Sequence, residues 1–364
     1  MKRRKAITIR DVATAAKLSP TAVSRYLNRD MILPSESAAR INEAVRVLDY
    51  HPDRLARNLS TGSSRLIGLV IPEISNPFFA DLASAVEDVA SKADYGVLLC
   101  NTHNDPNREL RCLGLLRTRQ LDGIVYLTSH ANNPELLAML ARNERVVLID
   151  EDVVGISAPR VFCENRAGGY SATKHLLEHG HNKIAFIGGP EKLLSSRERF
   201  AGFKNALGEK GITPVSRFIR FGPYIAEYGR AIADEFLMSK DPPSAIFAAS
   251  DYVALGVLNA AQNLGMSIPK DLSLVGFDDM PFAALLSPPL ATVRQPIREM
   301  GEAGINFLLQ LIKGEMKEMP VLRLPVQFIA RSSVQVVPSR IRKRSWPVQT
   351  RNLAGSSIQW LSET

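Results

Sequence analysis

The sequence predicts an α/β protein that carries a small all-helical domain at its N-terminus. From residue 66 onward, short apolar runs alternate with helical patterns over roughly 270 residues. Such alternation is typical of parallel sheets with helices on both faces. Before residue 60, apolar residues recur at the three- and four-residue spacing of helices. We therefore expect a helical head followed by a larger body with parallel sheets.

The head is expected to contain three short helices. Thr8 followed by Asp11 resembles a capping box, and Ser19 followed by Pro20 can begin a second helix. Ser35 is expected to cap a third helix. The residues expected to face the core of the head are Ile9, Val12, Ala13, Ala16, Val23, Tyr26, Leu27, Ile41, Ala44, Val45 and Leu48. Two helices joined by a short turn, with a third packed across them, form a helix-turn-helix unit.

The body is expected to have two lobes because its apolar runs fall into two similar series. The first series of expected strands is 66–71, 96–100, 123–127 and 146–149, and the second is 184–187, 217–221, 245–248 and 272–277. Helical patterns between them end at the glycines Gly180, Gly211, Gly265 and Gly314. In such folds ligands bind beyond the carboxyl ends of the strands, here in the crevice between the lobes.

The net charge of +8 is concentrated at the two ends of the chain. Residues 1–65 carry a balance of +7, residues 66–337 one of −3 and residues 338–364 one of +4. A basic module on a nearly neutral body indicates a polyanionic partner, since Lys and Arg release counterions from phosphates. The expected domains are therefore a helical domain at 1–52, a linker at 53–65, a two-lobed domain at 66–337 and a flexible basic tail at 338–364. The tail is either a solvated appendage or an auxiliary nucleic-acid contact.

Several classes of protein are excluded by what the sequence lacks. Cys100, Cys112 and Cys163 form no C-x-x-C pair, which argues against a disulfide scaffold or zinc ribbon and fits a reducing compartment. No apolar segment follows the basic N-terminus as in a signal peptide, and the longest uncharged stretch, 252–269, contains several polar residues. We expect a cytoplasmic protein without a membrane partner.

The sequence also offers no catalytic machinery. It contains no G-x-G-x-x-G, no P-loop and no G-x-S-x-G motif. His175, His179 and His181 are closely spaced, but the last two flank a glycine that ends a helix, where cationic side chains favour the helix dipole. We therefore expect no catalytic residue, no cofactor and no metal site.

Many motifs resemble those of one family, the LacI/GalR repressors, in the order in which that family has them. In the head and linker they are Thr-Ile-Arg-Asp-Val-Ala at 8–13, Leu-Ser-Pro-Thr-Ala-Val-Ser-Arg-Tyr-Leu at 18–27, and the run at 50–59. In the body they are the segments 75–80, 180–188, 199–203, 250–256 and 275–279. The resemblance covers about residues 7–335. It implies a DNA-binding head, a hinge helix and a body folded like periplasmic sugar-binding proteins.

The resemblance assigns the second helix of the head to the major groove of DNA. Its first turns would present Pro20, Thr21 and Arg25 to base edges, and Arg25 could donate two hydrogen bonds to a guanine. Ser19, Ser24 and Asn28 fit contacts to phosphates, and Ser19 could instead act only as a helix cap. One departure is Pro34, which stands where the family usually has a capping Ser or Thr, so the third helix's phosphate contact could pass to Ser35 or Ser37.

The linker aligns with the family's hinge helix, which pairs with its copy from a second subunit in the minor groove. Leu59 matches the leucine that is inserted between base steps and bends the duplex. Ala56 would permit close approach, and Arg54 and Arg57 could meet phosphates. Leu59 could instead be a core residue beneath the body.

The resemblance also implies a small-molecule effector held in the body. The matching positions are Asn76, Phe78, Phe79, Asp150, Arg199, Ser250, Asp251 and Asp278. Carboxylates, an arginine and aromatic faces suit a sugar or polyol, although Arg199 could equally neutralise a carboxylate or a phosphate. Leu193 stands where a purine-responsive relative would have a second arginine, which counts against a purine. Asp251 could be an N-cap, and Phe79 could belong to the core.

We therefore expect a sequence-specific transcriptional regulator, a repressor that binds a palindromic operator as a homodimer and is controlled by an effector. Two alternatives are a periplasmic-type solute-binding protein and a sugar-modifying α/β enzyme. The first would have a signal peptide where this chain has a basic head, and the second would need a catalytic base. No leucine heptads follow the body, which argues against tetramers formed through a coiled coil.

Overall fold

The computed structural model describes residues 7–27, 31–50, 63–128, 130 and 132–337. The head has three helices, α1 (Ile9–Ala16), α2 (Pro20–Leu27) and α3 (Ser35–Leu48). Its core consists of Val12, Ala13, Ala16, Val23, Ile41, Ala44 and Tyr50, all buried. Ile9, Tyr26, Leu27, Val45 and Leu48 pack around this core and stay partly exposed. The apolar pattern in the sequence therefore identified the inner faces of all three helices.

The helix starts in the head follow the sequence signals at two of three positions. The Asp11 carboxylate accepts hydrogen bonds from the N–H and the hydroxyl of Thr8, each at 2.7 Å. Ser19 Oγ accepts from the N–H of Ala22 at 3.1 Å, so its role as a cap is confirmed. The expectation for Ser35 is wrong, because this residue is already the first of α3. The N-cap is Pro34, which offers no side-chain hydrogen bond.

The chain divides into two compact units. Unit 1 comprises Met1–Phe162 and Ile297–Leu324, and unit 2 comprises Cys163–Pro296 and Pro325–Thr364. No described helix is long and apolar enough to cross a membrane.

Unit 1 contains a six-stranded sheet flanked by helices. Its strands are β1 (Leu66–Ile71), β2 (Gly96–Asn101), β3 (Gly123–Tyr126), β4 (Val146–Ile149), β5 (Arg160–Cys163) and β11 (Val321–Leu324), in the order β11-β5-β4-β3-β1-β2. Its helices are α4 (Pro77–Lys92), α5 (Pro106–Arg117), α6 (Pro134–Leu140) and α11 (Ile297–Lys313). The pairs from β1 to β5 are parallel, so their carboxyl ends lie at one edge of the sheet.

Unit 2 contains a four-stranded parallel sheet, in which the second, first, third and fourth of its strands along the chain lie side by side in that order. Its strands are β6 (Ile184–Gly188), β7 (Ile219–Phe221), β8 (Ala245–Ala248) and β9 (Ser273–Val275), with a separate antiparallel pair of β10 (Thr292–Arg294) and β12 (Gln327–Ile329). Its helices are α7 (Asn165–Glu178), α8 (Leu194–Glu209), α9 (Ala226–Leu237) and α10 (Asp251–Asn263). Several phenylalanines, among them Phe186, Phe203 and Phe247, fill the core on one side of the sheet.

The α/β fold with parallel sheets and a helical head is confirmed, and the errors concern boundaries and short strands. The expected strand at 217–221 begins only at Ile219, because a 3-10 turn at Ser216–Phe218 buries Phe218. The run at 272–277 is a strand only over Ser273–Val275. Strands β5, β10, β11 and β12 were not expected. The four glycines expected at helix ends have positive φ angles, between 67° and 84°.

Candidate functional sites

The face of α2 that was expected to contact DNA is turned to solvent. Pro20, Thr21 and Arg25 are exposed and Ser24 is half-buried, and we call these four residues the reading face. Val23 is completely buried on the opposite side of the helix and anchors α2 in the head. The helix is therefore fixed by its inner side while its outer side is free for a partner.

Tyr26 and Arg25 of α2 differ in their contacts with the rest of the head. The amide of Asn42 on α3 donates to the hydroxyl of Tyr26 at 3.1 Å, which links the end of α2 to α3. The guanidinium of Arg25, by contrast, forms no ion pair or hydrogen bond within the described residues. An exposed arginine without an internal partner can donate both of its outer N–H groups to a base.

Several expected DNA contacts lie outside the described residues. They are Asn28, Ala56 and Leu59, together with Arg54 and Arg57. Ser19 is described and exposed, and its hydroxyl serves as the cap of α2. Its contact with phosphate stays a prediction.

The junction between the linker and the body is held by one buried carboxylate. Asp122 accepts hydrogen bonds from the Ser63 hydroxyl, from the N–H of Ser64 at 2.7 Å and from the N–H of Arg65 at 3.1 Å. Asp122 directly precedes β3, so the chain is clamped at the amino end of that strand as it enters β1. Sequence reasoning did not identify this role, since Asp122 is more than fifty residues away from its partners.

In unit 2, Arg199 is at the centre of a buried polar cluster. Arg199 lies on α8 and is 3% exposed, and its Nε donates to Asn165 Oδ1 at 2.8 Å. Its Nη1 donates to the carbonyl of Ala249 at 2.7 Å and lies 3.6 Å from Asp278 Oδ1. The guanidinium also lies over the ring of Phe277, 3.8 Å from its centroid. A buried arginine that is paired and hydrogen-bonded on several sides has a fixed orientation.

Asp278 is held in place by Gln295, which is itself oriented by Cys163. Gln295 Nε2 donates to Asp278 Oδ1 at 2.7 Å, and the thiol of Cys163 donates to Gln295 Oε1 at 3.0 Å. The backbone of Asp278 has a φ of 115°, a conformation that side-chain-bearing residues rarely adopt. We call Arg199, Asp278, Asn165 and Gln295 the Arg199 cluster.

A glycine lets the two helices that carry the Arg199 cluster approach each other closely. A Cβ on Gly169 of α7 would lie 2.2 Å from the carbonyl oxygen of Arg199 on α8. Only a residue without a side chain permits this distance. The glycine therefore determines how near Arg199 comes to Asn165, at the start of α7.

Ser250 and Asp251, the next two expected effector residues, have clear structural partners. Ser250 is the N-cap of α10, and its Oγ accepts from the N–H of Tyr252 at 3.0 Å. The interpretation of Asp251 as an N-cap is wrong. Its carboxylate instead accepts from the N–H of Met280 at 2.8 Å and from the hydroxyl of Thr292 at 2.6 Å. Burial and the nearby charge of Asp278 raise the pKa of Asp251 well above its ordinary value.

The expected effector residues of unit 1 follow the carboxyl ends of β1 and β4. Asn76 caps α4 by accepting from the N–H of Phe78 at 3.1 Å. Phe78 is buried, whereas Phe79 is half-buried and packs edge-on against Phe78 with ring centroids 5.1 Å apart. Asp150 follows β4 with a φ of 67°. Strand β3 lies between β1 and β4 in the sheet.

The three histidines lie on one side of unit 2 without forming a metal centre. The rings of His175 and His179 are 4.2 Å apart, and His181 is buried between Ser244 Oγ at 2.9 Å and the carbonyl of Gln335 at 3.1 Å. Burial lowers the pKa of His181 to about 4. Among the described residues, no three His, Cys, Asp or Glu side chains are grouped so that they could hold a metal ion.

Sequence reasoning missed the residues that orient Arg199 and Asp278. They are Asn165, Gln295, Phe277 and Cys163. Asn165 and Cys163 offer a local signal, because they stand at the end of β5 and the start of α7, where open α/β sheets bind ligands. Gln295 offers none, since it follows a three-residue strand that the sequence did not predict.

Two family models match the chain and define its class. Residues 8–53 match the model described as bacterial regulatory proteins, lacI family, and residues 173–334 match a periplasmic binding protein-like domain. The first match covers the head with its exposed α2, and the second covers most of unit 2, including Arg199, Asp278 and Gln295 of the Arg199 cluster. A helix-turn-helix head joined to such a body defines a DNA-binding transcriptional regulator.

Similar proteins narrow the class to a family. The chain is 33% identical over 330 residues to the HTH-type transcriptional repressor PurR of Aliivibrio salmonicida, covering 90% of this chain and 98% of that protein. It is 36% identical over 328 residues to the ribose operon repressor of Halalkalibacterium halodurans, covering 90% and 97%. A crystal structure of the lac repressor dimer bound to operator and the anti-inducer ONPF superposes with a TM-score of 0.81 at 25% identity, covering 91% and 100%. The chain belongs to the LacI family.

Proposed function

We propose that this protein represses transcription as a homodimer on a two-fold symmetric operator, and that a sugar or sugar derivative bound at the Arg199 cluster changes its affinity for DNA. The exposed reading face of α2 is the observation that carries the DNA-binding part of the proposal. A polar and cationic helix face anchored by one buried valine is what major-groove reading requires.

The residues of the head and linker would make different kinds of contact with DNA. Arg25 would select a guanine by donating to its O6 and N7, and Thr21 would contact a neighbouring base or a thymine methyl. Pro20 has no N–H to donate and would contribute shape only. Ser19, Ser24 and Asn28 would contact phosphates, which orient the head without reading sequence. Ala56 and Leu59 would act in the minor groove.

A homodimer is supported by the edge of the unit 1 sheet. Strand β2 is an edge strand, and it exposes Leu98 and Leu99 to 41% and 42%. Apolar side chains on an exposed edge favour pairing with another chain. The structurally similar lac repressor is a dimer on its operator. A second copy of this chain covering β2 would supply the symmetry that a palindromic site needs.

The chemistry of the Arg199 cluster suits a polyol. Arg199 and Gln295 offer N–H donors while Asp278 and Asn165 offer oxygen acceptors, so that vicinal hydroxyls could exchange hydrogen bonds with both kinds of group. One similar protein is named for a ribose operon. Asn76, Phe78, Phe79, Asp150, Ser250 and Asp251 stay predicted contacts, and the partners of Asp251 favour a role in holding the segment before β10.

A purine base is the second candidate effector, because another relative is named PurR. The position where a purine-responsive member would have a second arginine is Leu193, which is buried before α8. A buried leucine cannot donate a hydrogen bond, which favours the sugar.

The proposed regulation is a linkage between two binding sites. An effector can change DNA affinity only by the difference between its own affinities for the DNA-competent and DNA-incompetent arrangements. The proposal includes no catalytic step, in keeping with relatives that are named as repressors. It places the protein in the cytoplasm, where its operator is.

Selection of bound sites from a random duplex library tests the DNA-binding part. Full-length protein at physiological salt should enrich a two-fold symmetric motif with a flexible pyrimidine–purine step at its centre. Retention of DNA without any motif would contradict sequence-specific reading.

Thermal unfolding in the presence of small molecules tests the effector part. Pentoses and hexoses should be compared with purine bases, and a true effector should raise the unfolding temperature of the wild type. Asp278→Asn should abolish this rise, because the amide no longer balances the charge of Arg199. If only purine bases raise the unfolding temperature, the effector is a purine and not a sugar.

A further inference from the structure

A basic pocket lies at the end of unit 1 opposite to the expected effector residues. It has a volume of about 550 Å³, and its charged lining consists of Arg119, Arg142, Arg145, Asp122 and Glu144. Asp122 directly precedes β3 and Arg145 directly precedes β4, so the pocket is at the amino ends of these parallel strands. Asn76 and Asp150, by contrast, follow the carboxyl ends of β1 and β4.

The three arginines of this basic pocket are available for a partner. All three are exposed, and within the described residues none of their guanidinium groups takes part in an ion pair or a hydrogen bond. Of the two carboxylates, Asp122 accepts from the hydroxyls of Ser63 and Ser64 and from the backbone N–H groups of Ser64 and Arg65, and not from a guanidinium group of the pocket. Three cations beside one exposed carboxylate, Glu144, make the mouth of the pocket positive.

The basic pocket is also where the DNA-binding linker is attached. Asp122 both lines the pocket and accepts from the backbone N–H groups of Ser64 and Arg65. Leu59, the residue expected in the minor groove, precedes Ser63 by four residues, which span at most about 14 Å. The exposed Arg65 adds a further positive charge at this junction.

We infer that Arg119, Arg142 and Arg145 form a second DNA contact, in which the body binds backbone phosphates flanking the hinge. This inference rests on the proposed function, since it requires the linker to be on DNA. The fork of the arginine side chain matches the phosphate oxygens, and each contact releases condensed counterions from the duplex. The contact gives affinity and fixes the body relative to the duplex, but it reads no sequence.

A simpler role for these arginines makes a different prediction. Arg119 follows the end of α5 by two residues, and Arg142 follows the end of α6 by two residues. Cations at these places interact favourably with the carboxyl ends of helices. That role affects the stability of unit 1 and leaves the salt dependence of DNA binding unchanged.

The test compares two double variants of the full-length protein that lose the same charge. One is Arg119→Gln with Arg145→Gln, and the control is Arg108→Gln with Arg111→Gln, which replaces exposed arginines in the first half of α5. Affinity for the selected operator and for a scrambled duplex is measured between 50 and 200 mM salt. The pocket variant loses two arginines from each subunit and therefore four phosphate contacts per dimer. Its deficit relative to wild type should shrink by about a hundredfold across this range. The deficit should be the same on both duplexes.

Three results would overturn the inference. In the first, the DNA affinity of the pocket variant would depend on salt as steeply as that of the wild type. In the second, the salt dependence of the control variant would be reduced as much as that of the pocket variant, which would assign the effect to net charge alone. Inorganic phosphate could raise the unfolding temperature through these arginines while DNA binding is unaffected, which would indicate a small-anion site. These results are distinguishable from failure of the proposed function, because in that case the wild-type protein itself would select no DNA motif from the random library.

Discussion

On the reading face of α2, polar residues are exposed, and Arg25 has no ion-pair partner within the described residues. In the Arg199 cluster, the arginine is 3% exposed and is held by Asn165, Ala249 and Asp278. The first arrangement leaves hydrogen-bonding groups open for a large partner that brings its own charge. The second satisfies these groups in advance, so that a small ligand must exchange hydrogen bonds one for one.

This difference predicts that the two regions respond to mutation in opposite ways. Changes on the reading face should alter binding and leave stability intact. Changes in the Arg199 cluster should alter both, because the cluster is part of the core of unit 2.

The largest effect is expected for Arg199→Met. It leaves Asp278 and Asn165 buried without their cationic partner, which should lower the free energy of unfolding by about 3 to 5 kcal/mol. Urea denaturation measures this loss. Arg197→Met is a matched control, since Arg197 lies on the same helix two residues earlier and is exposed. Its effect should stay within about 0.5 kcal/mol, and equal losses in both variants would contradict the assignment of Arg199 to a buried cluster.

The next effect concerns the acid stability of unit 2. Burial lowers the pKa of His181 from 6.5 to about 4, so the folded state disfavours the protonated ring. The stability contributed by this histidine is fully present above about pH 6.5 and is lost as the pH falls towards 4. The loss amounts to about 3 kcal/mol at 1.36 kcal/mol per pKa unit. His181→Gln should flatten the dependence of the urea midpoint on pH between 6.5 and 4, and parallel curves would exclude this role.

On the reading face, Arg25→Gln should reduce discrimination at one base pair of each half-site by about 1 to 3 kcal/mol. The unfolding temperature should not change. Binding to a panel of operators with single substitutions measures the loss. Arg10→Gln removes another exposed arginine of the head and should lower affinity evenly across the panel, if at all. A loss of affinity that is equal for all operators in the Arg25 variant would make this residue a phosphate contact.

Ser19 gives the smallest effect and separates two roles of one hydroxyl. Ser19→Ala should lower the stability of the head by about 1 kcal/mol because α2 loses its cap, whereas Ser19→Gly should lower it by only a few tenths. Both variants lose the hydroxyl that would contact phosphate. A salt-dependent loss of DNA affinity in the glycine variant would show that Ser19 both caps α2 and contacts phosphate. If the glycine variant binds DNA as tightly as the wild type, Ser19 acts only as the cap.

The same contrast explains what could be predicted from the sequence. The helices of the head and the exposure of Arg25 follow from local spacing, because Val23 must face inward and Arg25 two residues later then faces outward. Arg199 and Asp278 were identified through the resemblance to a family, and the structure brings them within 3.6 Å. Their supports Asn165 and Gln295 were missed, because α7 and β10 meet only in the folded unit and β10 has three residues.

Errors at Ser35 and Asp251 have one physical origin. A residue with a capping side chain was placed at the N-cap in both cases, while the helix starts one residue away. Pro34 is the N-cap of α3, and Ser250 is the N-cap of α10 ahead of Asp251. At α10 the sequence offers two capping candidates side by side. Only the hydrogen bonds of the folded chain distinguish them, since Ser250 accepts from the N–H of Tyr252 whereas Asp251 accepts from Met280 and Thr292.

The proposed regulation couples the reading face and the Arg199 cluster through one equilibrium. The most direct test is a binding cycle on full-length protein, in which operator affinity is measured with and without the effector and effector affinity with and without operator. Linkage requires both affinities to change by the same factor, of about 5 to 150 for typical regulators. If both ligands bind but neither changes the affinity for the other, the two sites are independent and the proposed coupling is contradicted.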